Sequence, residues 1–513
     1  MKNNFLNWFF VFEVVLFGLI ITGVLPRETA LYLGAALAIY FLATPLDDSL
    51  VFFVRSIPLF LAMPITAGFD NFNMWRILAG IIFLKFLSSN FEFLNKFKIQ
   101  NLKFKTPTIL LLILLLFAAL SVIPAVDKVA AVKRIIFFLN FAILGVVIYY
   151  KAADKEFAKR LIRNSVIPVV IVAVVGYIQV ISTYFVDIYQ FMRMWGEGIQ
   201  CRQFGEQWCN IAVQLGNTWF AYYGEQLSLR VFSLFPDSHS FPQFVLLGIP
   251  AVLTMLLREN TNHKTQITNK TQKIKAQIPK IIILSLLFLI IILSGTRGIW
   301  AASVGVVLLY FGLMLYMKKQ DSLKLSYDNF REFKKLGLCL IVFFIMFSVA
   351  FPIFSSPQFL VGKSDDILKK RIRSIIDLGE TSNAQRIEIW KKTLSSIKER
   401  PLLGVGIGNY PVVLGQDIRL AKAGSSAHNL YLHVAAEMGT LAGVIFIWFL
   451  WLLFKKNYEI FTKEGDKQLG IYFAATLLFV SWVLIYSLTD IAIFDERALL
   501  FALVPMAIIL KWR

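Results

Sequence analysis

Apolar runs, each close to the ~20 residues that a helix needs to cross hydrocarbon, recur along nearly the whole 513-residue chain. Inside lipid no water is available to satisfy backbone N–H and C=O groups, so such runs must be helices that satisfy their own. The runs and their breaks mark fourteen spans, near 5–25, 28–44, 50–65, 74–89, 108–124, 133–150, 164–186, 236–257, 280–294, 298–317, 336–356, 428–454, 469–489 and 497–511. Composition agrees, since 58% of residues are hydrophobic and 16% are charged, whereas a soluble domain is about 45–50% apolar and about 25% charged. The expected fold is all-α, a polytopic transmembrane bundle of about 12–14 spans with a large helical outer loop. The first run lacks a small-residue cleavage site, so it reads as a span and not as a removable signal.

The net charge of +20 would suit a nucleic-acid binder, but the basic residues lie in loops between spans and no nucleic-acid module is recognisable. Topology accounts for them better. Short loops rich in Lys and Arg stay on the cytoplasmic side. Counting fourteen spans puts the clusters in 96–105, 151–163, 258–280, 318–335, 455–467 and 511–513 on one side. Both termini are then cytoplasmic, and two large segments, 187–235 and 357–427, lie outside. This divides the chain into 1–235, N-terminal spans with the first outer loop; 236–356, central spans; 357–427, the large outer loop; and 428–513, C-terminal spans. The large loop holds twelve Lys and Arg against seven Asp and Glu. Long loops translocate regardless of charge, so its basicity points to an anionic ligand or lipid headgroups, with a solvated helix face as the simpler alternative.

Four histidines occur. His263 lies in a cytoplasmic polar loop. His239 stands at the outer start of a span, in PDSHSF. His428, followed by Asn429, marks the re-entry of the large loop into the membrane, where an imidazole that titrates near neutrality can act as a general base. His433 and Glu437 share a helix face, four residues apart, and suit a structural pair.

Arginines form the second group. Arg297 breaks an apolar run in SGTRG, where an ionisable group at the membrane is costly without a partner or a task; a snorkelling role is the alternative. In SNAQRIEIWKKTLSSIKERP, Ser382 or Asn383 can cap an amphipathic helix that stops before Pro401. Its apolar stripe is Ala384, Ile387, Trp390, Leu394 and Ile397, with Arg386 beside it. Arg230, in LRVFSLFP, closes the first outer loop. Three such arginines can clamp a phosphate or pyrophosphate by forked hydrogen bonds. Lys133 and Arg134, at the outer end of another span, are further candidates for the same anion.

Other signals carry less. GVGIGN follows a helix and a proline with no strand before it, so it reads as a flexible turn and not a phosphate loop. No His, Cys or acidic cluster has metal-ligand spacing, so neither metal nor cofactor is expected. Cys201 and Cys209 share an outer loop and can be bridged or free. Glu13 and Arg55, the main charges within spans, read as lying nearer an end than the centre, which disfavours a small-solute transporter, as does the absence of an internal repeat.

Together the second-half motifs resemble the O-antigen ligase family, polytopic enzymes that move lipid-linked glycans onto acceptors outside the membrane. SGTRG resembles the family's SGSRG element. RVFSLFPDSHSF resembles its element of arginine, short hydrophobic stretch and proline, with Pro236–Asp237 where the family has proline–asparagine. NAQRIEIWKKTLSSIKERPLLGVGIGNY resembles its loop signature, and AHNLYLHVAAEMGTLAG its re-entry motif, with His428, Asn429 and Gly439 in place. The resemblance implies that Arg297 and Arg386, assisted by Arg230, bind the pyrophosphate of an undecaprenyl-linked donor. His428 would deprotonate or orient an acceptor hydroxyl for inverting attack without metal or nucleotide. It leaves open whether the acceptor is a lipid (ligase), another glycan (polymerase) or a protein (O-oligosaccharyltransferase). It places the protein in the cytoplasmic membrane with its site facing outside.

Overall fold

The computed structural model describes residues 2–66, 70–89, 106–206, 208–209, 219–223, 226–257, 270–320, 327–355, 381–416 and 425–512. Its long helices are α1 (Lys2–Ile21), α2 (Thr29–Ala43), α3 (Leu46–Ser56), α4 (Trp75–Ser89), α5 (Thr106–Leu120), α6 (Lys128–Lys151), α7 (Lys155–Asn164), α8 (Val166–Ser182) and α9 (Ser240–Leu256). They continue as α10 (Lys270–Leu293), α11 (Arg297–Gln320), α12 (Tyr327–Ser355), α13 (Thr381–Glu399), α14 (Leu430–Met438), α15 (Thr440–Lys463), α16 (Lys467–Tyr486) and α17 (Glu496–Lys511). Two small antiparallel hairpins, Ala62–Met63 with Phe72–Asn73 and Phe220–Tyr223 with Gln226–Leu229, are the only sheet among the described residues. The expected all-α membrane bundle is what the chain forms. His263, the basic cluster at 96–105 and all of 357–380 and 417–424 lie outside the described residues.

α16 is the hub. It packs against α9, α11, α12 and α15, and Phe473, Leu478, Phe479 and Trp482 on it are wholly buried. Around it the outer helices turn apolar side chains outward, as Leu308, Leu315 and Trp451 do, because lipid rather than water surrounds them. Close packing uses small residues: a Cβ on Gly248 of α9 would collide with Val169 of α8, the contact logic of membrane helices.

Ion pairs sort the helix ends into two faces. On one, Asp47 meets Lys151 at 2.7 Å, Asp48 meets Arg160, Lys159 meets Asp466 at 2.7 Å, and Lys467 meets Glu332 at 4.0 Å. On the other, Arg27 meets Asp70 at 2.8 Å, Arg76 meets Glu496 at 2.6 Å, and Arg497 donates to Phe60 O at 2.9 Å. Lys151, Lys159, Arg160 and Lys467, from loops counted separately along the chain, thus gather at one end of the bundle.

Several details differ from expectation. The span placed at 50–65 is a broken crossing: α3 stops at Ser56, and Pro58 sits in a single 3-10 turn before the first hairpin. Proline lacks the N–H that would continue the helix. The span placed at 428–454 is split at Gly439, whose φ of +96° separates α14 from α15. Glu13 is not near a helix end; it sits mid-way along α1, fully buried, and accepts a hydrogen bond from Ser56 Oγ. Charge placement therefore no longer argues against a carrier, and that argument passes to the site. Cys201 and Cys209 are bridged.

GVGIGN is not a flexible turn. Gly404, Gly406 and Gly408 hold φ of +64°, +97° and +75°, and the loop lies against the end of α14. The N–H groups of Val405 and Gly406 donate to Ala436 O (2.9 Å) and Glu437 O (3.0 Å), that of Ile407 to Ser121 Oγ (3.1 Å), and that of Gly408 to Glu437 Oε1 (3.0 Å). With its donors already engaged, the loop has none to offer a phosphate. A Cβ on Gly439 would strike the carbonyl of Leu402, and backbone cannot yield as a side chain can. Gly439→Ala is expected to destabilise the protein by about 1–3 kcal/mol through the left-handed backbone alone, more with the collision. A lowered melting temperature of the detergent-solubilised protein checks it.

Candidate functional site

Four turns meet at the bundle end that carries the Arg27–Asp70 and Arg76–Glu496 pairs. The first is the approach to α9. Gln179, buried in α8, accepts from the N–H groups of Phe232 and Ser233, both at 3.0 Å, and so pins the chain just after Arg230. Asp237 Oδ1 accepts from the N–H groups of His239 (2.8 Å) and Ser240 (2.7 Å), forming the cap of α9. The carboxylate that replaces the family's asparagine thus has a structural task.

The second turn, SGTRG, joins α10 to α11 through Gly295 at φ +63°. Thr296 Oγ1 donates to Ser238 O at 2.7 Å, and Arg230 Nη2 donates to Gly295 O at 3.4 Å, which ties this turn to the first. Arg297 opens α11. Its neighbour Gly298 lies so close to α16 that a Cβ would come within 2.6 Å of Thr489 Oγ1 and Tyr486 Cε2.

The third turn is where α13 meets the re-entry. The expected stripe is rotated: Leu394 is 54% exposed while Thr393 is fully buried. Two hydrogen bonds decide this, Thr393 Oγ1 with Tyr410 OH at 2.6 Å and Trp390 Nε1 to Ala427 O at 2.9 Å. Arg386, Trp390, Thr393 and Ile397 form the inward face, at the spacing of one helix side, which carries Arg386 toward the residue after Ala427. That residue is His428, held at φ +44°. Its Nδ1 is buried without a hydrogen-bond partner among the described residues. Asn429 caps α14 through its side chain, accepting from Tyr431 and Leu432 N–H at 3.0 Å each, so its amide oxygen is engaged in the helix. His433 faces Glu437 at 3.5 Å, both buried, as a structural pair.

The fourth turn, after α16, was not singled out in the sequence. Ser487 O accepts from Leu430 N–H at 2.8 Å, joining it to the re-entry. From this turn Asp490 Oδ2 approaches His239 Nδ1 at 3.2 Å, and Tyr486 OH lies 2.9 Å from the same nitrogen. Burial alone would raise Asp490, but His239, His428 and Arg386 around it hold it below the usual carboxylate range. It is ionised and can only accept, so the His239 proton sits on Nδ1. Burial, with Arg230 and Arg386 nearby, pushes His239 down to about 3. His428 is also lowered, by burial first and by Arg386, against the opposing pull of Asp490. Both imidazoles are neutral at physiological pH.

Arg230, Arg386, His428 and Asp490 thus act on His239 together, with Arg297 starting beside Tyr486. Lys133 and Arg134 stand apart. Lys133 is exposed, and Arg134 lies over Phe137, Phe138 and Phe494 at 4.9–5.4 Å, within the field of Glu437 and Glu496. The cluster has the guanidinium groups of Arg230 and Arg386, two neutral imidazoles, a phenol and the ionised carboxylate of Asp490, and Arg297 opens α11 beside it. It can hold a multiply charged anion beside an unprotonated base.

Residues 282–447 match the family model described as O-antigen ligase. This segment belongs to the O-antigen ligase family. It includes Arg297, Arg386 and His428 and excludes Arg230, His239 and Asp490, which the fold brings to it. No curated protein matches the chain. Among the described residues, seven helical segments, α16 among them, are long and apolar enough to cross a membrane. With the O-antigen ligase segment, they make this an integral membrane glycosyltransferase of the ligase and polymerase superfamily.

Proposed function

We propose that the protein transfers a glycan from an undecaprenyl-pyrophosphate donor to an acceptor hydroxyl at the outer side of the cytoplasmic membrane, both termini lying in the cytoplasm. His428 takes the proton of the hydroxyl as its oxygen attacks the anomeric carbon. The bond from that carbon to the pyrophosphate oxygen breaks, the anomeric configuration inverts, and undecaprenyl pyrophosphate leaves. Arg297, Arg386 and Arg230 bind the pyrophosphate and stabilise the charge that develops on it, a task that calls for no metal or nucleotide. His239, fixed by Asp490, shapes the polar wall between anion and base.

The observation that supports this reading most is the convergence of three arginines from three separate turns on one end of the bundle, beside a neutral histidine whose Nδ1 has no described partner. A buried nitrogen without a partner costs about 1–3 kcal/mol, and a bound hydroxyl would relieve it. A ligase, a polysaccharide polymerase and a protein O-oligosaccharyltransferase share this chemistry and differ in the acceptor. A solute carrier needs neither base nor pyrophosphate clamp.

Transfer from a purified lipid-linked glycan, followed against pH, tests the reading. A general base works only unprotonated, so activity falls as pH drops through its pKa. Because His428 is lowered, the acid limb of kcat/KM should lie below the ordinary histidine value of about 6.5. A limb above that value, or solute uptake without transfer, contradicts the proposal.

A further inference from the structure

The opposite end of the bundle carries a second basic site. α16 connects the two ends: Tyr486 meets His239 at one, and Asp466, which caps the other, pairs with Lys159 of α7. Its 20 residues rise about 30 Å, one hydrocarbon thickness. Beside Lys159, α1, α3 and α7 enclose a cleft of about 410 Å³ whose wall includes Asn7, Arg55, Glu156, Arg160, Arg163 and Asn164.

The charges in this wall do not balance. Arg160 is matched by Asp48, and Glu156 by Lys159 at 2.9 Å. Arg55 donates from Nε to Asn164 Oδ1 at 2.7 Å and from Nη1 to Asn7 Oδ1 at 2.8 Å. Both acceptors are neutral amides, and Arg55 forms no ion pair among the described residues. Among the described residues Arg163 donates only to Lys159 O, at 3.3 Å. A half-buried guanidinium beside another cation is unfavourable until an anion joins them. The setting is interfacial. α7 packs Phe157, Ala158, Leu161 and Ile162 against the bundle and turns its basic residues outward, where anionic headgroups attract such charges. Trp8, next to Asn7 on α1, is 73% exposed, as suits an aromatic side chain at headgroup level.

We propose that this cleft binds the phosphate headgroup of an anionic lipid in the leaflet opposite the transfer site. Arg55 and Arg163 supply forked donors to the phosphate oxygens, and Arg160 adds charge. The site is independent of the glycan-transfer reading, since none of its residues reaches the Asp490 cluster.

Native mass spectrometry of the full-length protein in detergent, titrated with phosphatidylglycerol or phosphatidylcholine, tests it. The wild type should bind phosphatidylglycerol about tenfold or more tightly than phosphatidylcholine, the worth of one charge-assisted hydrogen bond. Arg55→Gln with Arg163→Gln should abolish that preference. Arg163→Gln alone should reduce it with the melting temperature unchanged, because this exposed side chain contributes only one weak intramolecular bond. Equal affinity for the two lipids, or a preference that survives in the double variant, overturns the proposal. Displacement of phosphatidylglycerol by inorganic phosphate at equal concentration overturns the lipid assignment in favour of a soluble phosphate.

Discussion

Replacing His428 with alanine or with asparagine should lower glycan transfer by about 10²–10⁴-fold, the usual contribution of a positioned general base. The pair of substitutions separates chemistry from folding. His428 holds φ +44°, a region that disfavours most side chains but that asparagine adopts comparatively readily. Asparagine therefore keeps the backbone geometry and cannot take a proton. If both variants keep the melting temperature and lose transfer, the imidazole is the functional group. His239→Gln provides the contrast. His239 is also neutral and is oriented by a carboxylate, the arrangement of a base with its orienting partner. Full transfer in His428→Ala with none in His239→Gln would move the base to His239.

The helical bundle was legible because hydrocarbon imposes one constraint on every span: about twenty apolar residues that satisfy their own hydrogen bonds. The exception at 50–65 arose where hydropathy averaged over Pro58, whose ring stops α3 without making the segment less apolar. Arg230, Arg297, Arg386 and His428 were legible because each stands out as a charge or an imidazole at a membrane edge. Asp490 and Tyr486 were not. Each looks ordinary in sequence, an acid in a short turn and a tyrosine at a helix end, and becomes part of the site only because His239 lies against both. The turn after α16 holds two acids, Asp490 and Asp495, and nothing local distinguishes the one that faces the site from the one that caps α17.

Two other misreadings share a cause. Leu394 falls on the apolar stripe and Thr393 does not because periodicity ranks residues by apolarity, whereas α13 is oriented by Tyr410 OH and Ala427 O, far along the chain. GVGIGN reads as a flexible turn because it follows a helix and a proline with no strand before it, and its glycines permit many conformations. Whether they use that freedom depends on acceptors from Ala436, Glu437 and Ser121, which local sequence does not reveal. In each case the deciding contact is polar, buried and long-range.

Arg386→Ala should lower kcat/KM for the lipid-linked donor by about 10²–10³-fold, the loss seen when a donor aimed at developing transition-state charge is removed. Folding should survive, because α13 is anchored through Trp390 and Thr393, not through Arg386. Arg386→Lys should recover part of the loss, since an ammonium keeps the charge and gives up the forked donor geometry. kcat should fall more than KM rises, because pyrophosphate carries more charge as it leaves than when it is bound in the donor. A further readout distinguishes a role at the site from a merely structural one. Arg386 helps hold His428 low, so its removal should let the imidazole pKa rise and carry the acid limb of kcat/KM upward. Lysine, still cationic, should leave the limb near its wild-type position. An alanine variant with reduced activity and an unmoved limb would mean that Arg386 does not face the base, and the clamp would then rest on Arg297 and Arg230.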